Sequence, residues 1–582
     1  MDRIISLFKP IEIADSEEVV QTIRKHFRIP IEYNDLHKPV HENINTDIEL
    51  FEKENGGVYH VLTRADGTFD RCISERWSSY YTTDVAYLTE TQRMFSDFVP
   101  ECQNEDEELI KIWKDVRENE YFVDKYSFIN LQALENLNKN PTFMSLNTVT
   151  NILSPFMFLL VPLIILITPL IAIKLRGYPM TFGSYARIFM SISRTHVMGK
   201  MFSGNMDANG IIRCILYGGI LLFQIYSNIN NCRKYYENLK FVNSALCNLR
   251  TFIERTRRNM SQLAGIDGIS TWSPFINAMQ IHEKQLSHIY DRIGHVKPFA
   301  FSASAIWNFG DMLTTYYNIS QTPHLHEALA YAFGFDGFCR NIDCIRQSIL
   351  EERINKTVFT TDADKVEFVN QEYPLLDNDS GVKNSCCLKQ NMIISGANGS
   401  GKTTILKTTM INVLLSQQIG YGFFESGTMV PYTHMHSYLN IPDTSSRDSL
   451  FQAESRRCKE IIDCIAENPS SSGYRHFCIF DELYSGTNPY EASRAGEAFL
   501  RHLNNHDGVS YMLTTHYLEM CNKLKKDRRV KNYRMETELD GDELIYTYRI
   551  SKGISKQKGA LHVLKSMQYP ESIINDIVKS CT

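Results

Sequence analysis

The sequence predicts a multidomain protein in which a largely α-helical region, interrupted by an apolar hairpin, precedes an α/β domain. Apolar residues recur at three- and four-residue steps through most of the first 355 residues, as amphipathic helices require. Short β-rich runs then alternate with helical segments after a turn-rich stretch. We predict four parts, at residues 1–150, 151–232, 233–355 and 356–582.

Composition sets broad limits on function. The chain of 582 residues is long enough for several domains, and its formal net charge of −6 gives no general attraction to nucleic acid or anionic lipid. Its 14 cysteines form no C-x-x-C pair, which predicts reduced thiols rather than disulfides or a zinc motif. The N-terminus lacks an apolar segment of signal-peptide length.

Two segments of the helical region have clear amphipathic periodicity. Residues 105–137 are predicted to form a helix, and residues 235–263 a second, longer one with few helix-breaking residues. Both flank the apolar part of the chain.

The apolar hairpin is predicted from an uncharged run, Ile152–Ile173, and a weaker one at 214–229. The first run exceeds the roughly 20 residues that cross a bilayer as a helix. The basic loop at 174–213 would then lie opposite the side that the positive-inside rule favours. Prolines at 155, 162 and 169 predict a broken, re-entrant segment that would resolve this conflict. A crossing loop, and a pair of buried core helices, remain alternatives.

A phosphate-binding loop is predicted at residues 391–404, which read NMIISGANGSGKTT. The pattern G-x-x-x-x-G-K-T curls backbone N–H groups around phosphates and points a helix N-terminus at them. Lys402 would neutralise the β- and γ-phosphates, and the Thr403 hydroxyl would bind Mg²⁺. The predicted nucleotide-binding set is Gly396, Asn398, Gly399, Ser400, Gly401, Lys402, Thr403 and Thr404.

Two further strand ends predict the catalytic groups. Phe477–Phe480 is an apolar run that ends in Asp481, predicted as a second Mg²⁺ ligand, and Glu482, predicted to orient or deprotonate the attacking water. Tyr511–Leu513 is a third apolar run, and His516 after it is predicted to sense the γ-phosphate. The cofactors implied are ATP and Mg²⁺.

These elements together resemble the MutS family of mismatch-repair ATPases. Asp481-Glu482-Leu483, the Thr515-His516-Tyr517 segment with Glu519, and DSLFQAES at 448–455 match family motifs. The resemblance implies a domain of the ABC-like or MutS type, helical levers, and a homodimer with composite ATP sites. It also implies that Ser449 reaches the nucleotide of the other subunit and that Tyr548 stacks on adenine.

The P-loop departs from the family pattern. Ala397, Gly399 and Ser400 stand where the family usually has proline, methionine and glycine, and the loop is closer to that of a transporter ATPase. The transporter signature L-S-G-G-Q is absent. The preferred prediction is a membrane-attached MutS-like ATPase whose catalytic domain faces the cytosol. A DNA-binding repair ATPase with basic clusters at 254–258 and 523–529, and a transporter ATPase with fused spans, are the alternatives.

Overall fold

The fold was analysed in a computed structural model. It describes residues 17–52, 57–117, 119–175, 181–195, 208–299, 305–376, 381–439, 441, 449–540, 543–555, 567, 569–570 and 573. Within the helices around the apolar run, the side chains at most positions from 158 to 174 lie outside the described residues. The chain is a multidomain α/β protein with separate helical and sheet regions.

The chain forms two compact units, which are each built from several segments. The first contains Met1–Asp106, Arg258–His282 and Ala330–Thr582, and the second contains Glu107–Arg257 and Glu283–Leu329. All strands of the described residues lie in the first unit.

The helices before the P-loop account for most of the first 350 residues. Those of the N-terminal segment are α1 Glu17–His26, α2 Glu42–Asp47, α3 Gly57–Thr63, α4 Thr68–Ser78 and α5 Val85–Asp97. The next are α6 Asp106–Arg117, α7 Phe122–Lys125, α8 Pro141–Leu175, α9 Phe182–Thr195, α10 Ala208–Ala264, α11 Ser273–Ile293, α12 Ala305–Gln321 and α13 Pro323–Leu350.

Large aromatic side chains form the core of the helical part of the first unit. Trp77, Trp272, Phe275 and Phe338 are almost completely buried, and the Trp77 and Phe338 ring centroids lie 5.5 Å apart. Each such ring removes some 150–250 Å² of largely apolar surface from water, so these residues dominate the burial that stabilises the unit.

The predicted helix at 105–137 is shorter than expected. Only α6, the four-residue α7 and a short 3₁₀ helix at Glu135–Lys139 form in this segment. The chain turns back because Asp115 accepts hydrogen bonds from the Tyr126 and Tyr316 hydroxyls, the latter at 2.7 Å. A buried carboxylate requires such donors, and a straight helix would not bring Tyr126 back to it. The helix predicted at 235–263 is confirmed as part of α10.

The prediction of a broken segment in the apolar run was wrong. Helix α8 continues for 35 residues through Pro155, Pro162 and Pro169, because an internal proline removes one hydrogen bond and can bend a helix without ending it. The weaker run at 214–229 is likewise part of the 57-residue α10.

The predicted membrane hairpin falls partly outside the described residues, at 176–180 and 196–207 and at the side chains noted above. Within the described part of the chain, no helix has both the length and the apolar character needed to span a membrane. The predicted membrane attachment therefore has no support from the structure.

Two main sheets form the α/β part of the first unit. A six-stranded sheet has the order β13-β12-β6-β11-β10-β9, and a five-stranded sheet has the order β5-β4-β8-β3-β7. The six-stranded sheet consists of β6 Asn391–Ser395, β9 His434–Tyr438, β10 His476–Asp481, β11 Val509–Thr515, β12 Val530–Asp540 and β13 Glu543–Lys552. The other contains β3 Asn355–Phe359, β4 Glu367–Gln371, β5 Asn384–Cys387, β7 Tyr421–Gly422 and β8 Ser426–Met429, while β1 His37–Pro39 pairs with β2 Tyr80–Thr82.

The three strands predicted around the P-loop are confirmed. Strands β6, β10 and β11 are neighbours in parallel, and nearly all their residues are buried, as their apolar sequences predict. Their carboxyl ends share one edge of the sheet, which is where ligands bind in open α/β folds. The helices of this region are α14 Lys402–Gln418, α15 Leu450–Glu467, α16 Pro489–Asn504 and α17 Leu518–Leu524.

Candidate functional site

The P-loop connects β6 to α14 in a turn that requires glycine. Gly399 and Gly401 have φ angles of 78° and 89°, and Gly401 caps the N-terminus of α14. Glycine reaches this left-handed region without a steric penalty. A Cβ atom at Gly401 would also lie 3.2 Å from the Tyr548 ring, which would have to shift slightly.

Lys402 carries its charge into the P-loop. Its side chain is 5% exposed, and its ammonium donates to the Gly396 and Ala397 carbonyl oxygens, each at 3.1 Å, and to Asn398 Oδ1 at 3.3 Å. These oxygens are neutral, so they hold the ammonium without cancelling its charge. The loop therefore presents a positive charge together with a helix N-terminus, a combination that attracts phosphate.

Thr403 and Asp481 meet at the sheet edge beside the P-loop. The Thr403 hydroxyl donates to Asp481 Oδ2 at 2.7 Å, and the Thr514 hydroxyl donates to Asp481 Oδ1. A hydroxyl and a carboxylate are hard oxygen donors of the kind that Mg²⁺ selects, usually together with waters and substrate phosphates. The two residues therefore fit the cation predicted for them.

Glu482 lies between Lys402 and His516. Its Oε1 atom is 3.7 Å from Lys402 Nζ and 3.5 Å from His516 Nδ1. The hydrogen bond to His516 lowers the pKa of Glu482, burial opposes this change, and the positive charge of Lys402 adds to it. Glu482 is thus held as a carboxylate, the form that can accept a proton from water.

Two residues just after β10 have left-handed backbone conformations. Glu482 and Tyr484 have φ angles of 52° and 60°, a region that bulky residues rarely occupy. The turn after β10 directs the Glu482 side chain towards the P-loop, while the Tyr484 ring remains buried. Unfavourable dihedrals of this kind are often found where a catalytic side chain must be placed accurately.

A cleft of about 720 Å³ joins these groups. Its walls contain most of the P-loop together with Asp481, Glu482 and Tyr548. Tyr548 is 46% exposed, and its left-handed backbone, with φ of 57°, is held by Asn384, which donates to its carbonyl oxygen at 2.9 Å. Tyr548 therefore lines the cleft as a half-exposed residue.

One wall of the cleft was not identified from the sequence. Tyr373, Leu376, Val382 and Asn384 line it beside Tyr548. They come from the turn-rich stretch before the P-loop, which the sequence indicated only as a boundary. The signal that could have found them is the presence of aromatic and apolar residues in a stretch that otherwise has the composition of a solvent-exposed loop.

Ser449 does not line this cleft. It is exposed at the N-terminus of α15, where its side chain and that of Gln452 form a capping box. Such a box satisfies backbone donors at the helix start, so the serine has a structural role within its own chain. The structure thus brings the predicted P-loop residues, Asp481, Glu482, His516 and Tyr548 together and leaves Ser449 apart.

Helix α15 is nevertheless attached to the loop after β10. Glu454 is buried and accepts from Ser485 N at 3.0 Å, from the Ser485 hydroxyl at 2.8 Å and from Gly486 N at 3.1 Å. Gly486 lies four residues after Glu482, so one short segment connects the start of α15 to Glu482.

We expect Gly486→Ala to destabilise this segment. The added Cβ atom would lie 2.8 Å from Phe451 N and 2.9 Å from Leu450 Cγ, so α15 must shift. Overpacking of this kind costs about 1–3 kcal/mol, which thermal denaturation would measure. Gly183→Ala is the control, because its Cβ would contact nothing within 4 Å. Equal stability of the two variants would contradict the prediction.

Comparisons with known proteins agree with this geometry. Residues 392–582 match the family model of MutS domain V. A DNA mismatch repair protein MutS from Parabacteroides distasonis is 25% identical over 255 residues, which is 41% of this chain and 28% of the relative. An endonuclease MutS2 from Lactococcus lactis subsp. cremoris is 28% identical over 244 residues, which is 40% of this chain and 30% of the relative.

The similarity thus covers only part of this chain and only part of each relative. The chain spans less than a third of the length of these curated relatives. The matched region contains the P-loop from Met392 onwards, Asp481, Glu482, His516 and Tyr548. The region that carries the site therefore matches MutS domain V, and it is similar to a MutS and a MutS2 protein.

Proposed function

We propose that this protein is a MutS-type ATPase that binds ATP with Mg²⁺ in the cleft and hydrolyses it. The observation that carries the proposal is the hydrogen bond between Thr403 and Asp481, with Glu482 next in sequence. It places two hard cation ligands and a second carboxylate, that of Glu482, at the mouth of a phosphate-binding loop. The match of this region to MutS domain V supports the same assignment.

Each residue has a separate part in the proposed reaction. The P-loop N–H groups and Lys402 bind the phosphates and stabilise the charge that builds up on them during transfer. Thr403 and Asp481 would hold Mg²⁺, which supplies further charge neutralisation at the phosphate oxygens. Glu482 orients the attacking water and accepts its proton, and His516 keeps Glu482 in position.

The direct test is ATP hydrolysis by the purified full chain. We expect phosphate release that requires Mg²⁺ and stops when the cation is chelated. Undetectable hydrolysis under conditions in which ATP is bound would contradict the proposed reaction while leaving nucleotide binding intact.

The predicted adenine contact gives a second test within the cleft. We expect Tyr548→Ala to weaken ATP binding about 2- to 10-fold, since aromatic stacking contributes about 0.5–1.5 kcal/mol, whereas Tyr548→Phe should bind normally. Titration with a fluorescent ATP analogue would measure both. Tyr121→Ala is the control because that ring is 67% exposed and belongs to the second unit. Weakened ATP binding by Tyr548→Phe would indicate that the hydroxyl, and not the ring, contributes to binding.

We further propose that two copies assemble so that Ser449 of each copy contacts the nucleotide of the other. The proposal rests on the resemblance of residues 448–455 to the family motif and on the exposure of Ser449, which leaves it accessible to a second copy. The helical segments at 1–150 and 233–355 would serve as levers that transmit the conformational change that ATP binding and hydrolysis cause. Sedimentation with and without ATP would test the assembly, and a monomer under both conditions would contradict it.

DNA binding is the second candidate, and it rests on the relatives, two of which are named as a mismatch repair protein and an endonuclease. The basic clusters give it little support. Arg255 is buried, Arg257 pairs with Glu283 at 2.8 Å, and Lys523 pairs with Glu519 at 2.7 Å. Duplex binding measured at several salt concentrations would decide, because phosphate contacts weaken steeply with salt.

A further inference from the structure

Three potential metal ligands meet at the edge of the sheet opposite the nucleotide site. His436 lies on β9, His476 is the first residue of β10, and Cys464 lies in the last turn of α15. Each offers one ligand atom, and these atoms lie within 4.8 Å of one another. The nucleotide site uses none of these residues.

The two imidazoles face each other through their ring nitrogens. His436 Nε2 lies 3.0 Å from His476 Nδ1. His476 Nε2 lies 2.9 Å from the carbonyl oxygen of Asn468, which can only accept, so this nitrogen carries the proton and Nδ1 carries a lone pair. A ligand histidine whose other nitrogen donates to a backbone carbonyl is the usual outer-shell arrangement of protein metal sites.

Asn468 also positions the thiol. Its side-chain amide donates to the Cys464 carbonyl oxygen at 3.0 Å and lies 3.9 Å from Cys464 Sγ. One residue at the C-terminal end of α15 therefore holds both the cysteine and one of the histidines. His434 adds to the packing, since its ring stacks on that of His476 with centroids 4.9 Å apart.

We propose that His436, Cys464 and His476 bind a Zn²⁺ ion, with water as the fourth ligand. Histidine nitrogen and cysteine thiolate are both ligand types that Zn²⁺ takes, and zinc sites with three protein ligands keep a fourth position for water. Zinc–ligand bonds of 2.0–2.3 Å place tetrahedral ligand atoms about 3.3–3.6 Å apart. The two histidine nitrogens would therefore separate slightly from 3.0 Å, and the wider spacings of the cluster would shorten. On binding, the Cys464 thiol loses its proton to solvent as its sulfur bonds to the metal. Any proton on His436 Nε2 moves to Nδ1, which keeps that ring neutral.

The ion would connect α15 to β10, the strand that ends at Asp481 in the proposed ATP site. Helix α15 begins after Ser449 and ends beside Cys464, while β10 begins at His476 and ends at Asp481. A zinc ion at their far ends would fix the helix against the strand. Zinc binding can be measured without nucleotide, so a failed binding test would leave the proposed ATPase activity unaffected.

Cobalt gives a direct test because Co²⁺ bound by a thiolate absorbs through charge transfer. The full chain, stripped with a chelator, would be titrated with Co²⁺ and then with Zn²⁺. We expect one Co²⁺ per chain with the thiolate band, displacement by one equivalent of Zn²⁺, and a Tm that rises with Zn²⁺. Absence of stoichiometric binding in the wild-type chain would overturn the proposal.

Matched variants identify the ligands. Cys464→Ser should abolish the thiolate band, and His436→Gln should weaken Co²⁺ binding at least about 10-fold. Cys387→Ser and His502→Gln, which change an unpaired thiol and a histidine elsewhere in the chain, should bind as the wild type does. Circular dichroism would establish that each variant is folded. A band that persists in Cys464→Ser would show that another thiol binds the metal.

Discussion

Replacing Glu482 with glutamine is expected to preserve ATP binding and to slow hydrolysis about 100-fold or more. Glutamine keeps the size of the side chain and its contact with His516, but it cannot accept a proton from water, and general base catalysis contributes about 10²–10⁴-fold. Single-turnover hydrolysis of ATP, together with a separate binding titration, would distinguish the two steps.

Glu497→Gln is the matched control. This carboxylate lies on α16, where it binds Arg501 at 3.0 Å, and it does not line the cleft. Its hydrolysis rate should equal that of the wild type. If Glu482→Gln hydrolysed ATP at the wild-type rate, another group would have to activate the water, and His516 would be the next residue to replace.

Replacing Lys402 with methionine is expected to weaken ATP binding about 10- to 100-fold and to abolish measurable turnover. Methionine retains the length of the side chain, while the charged donor, worth about 1.5–3 kcal/mol per hydrogen bond, is lost. The glycine conformation of the loop should persist, since it depends on backbone angles rather than on the lysine. Isothermal titration with ATP and Mg²⁺ would measure the affinity.

Lys407→Met tests whether any lysine of α14 would give the same result. Lys407 lies on the same helix but pairs with Glu49, away from the cleft. We expect unchanged ATP affinity and a small loss of stability from the broken ion pair. Equal loss of affinity in both variants would indicate general damage to α14 and would remove the specific role of Lys402.

The P-loop and the strand ends could be predicted because their chemistry is local in sequence. Gly396 to Thr403 are consecutive, and Asp481 and Glu482 follow directly on a buried strand, so the parallel sheet brings them together. The wall formed by Tyr373 and Asn384 could not be predicted, since the hydrogen bond between Asn384 and Tyr548 joins residues 164 positions apart.

The proposed zinc ligands could not be predicted from the sequence for the same reason. His436, Cys464 and His476 lie on three elements and have no short spacing, so only the pairing of β9 with β10 and the packing of α15 unite them. In the apolar run, by contrast, the sequence signal was local but only partly correct. Its length and lack of charge predicted a helix correctly, yet the prolines suggested a break that α8 does not have.

The left-handed residues around the cleft have a consequence for engineering this protein. Glu482, Tyr484 and Tyr548 are three of the eight non-glycine residues with positive φ in the described part of the chain. Each such dihedral costs about 1–2 kcal/mol, which the rest of the fold must offset. Selection for heat resistance alone would therefore favour glycine or asparagine at these positions, and the more durable variants would be the poorer catalysts.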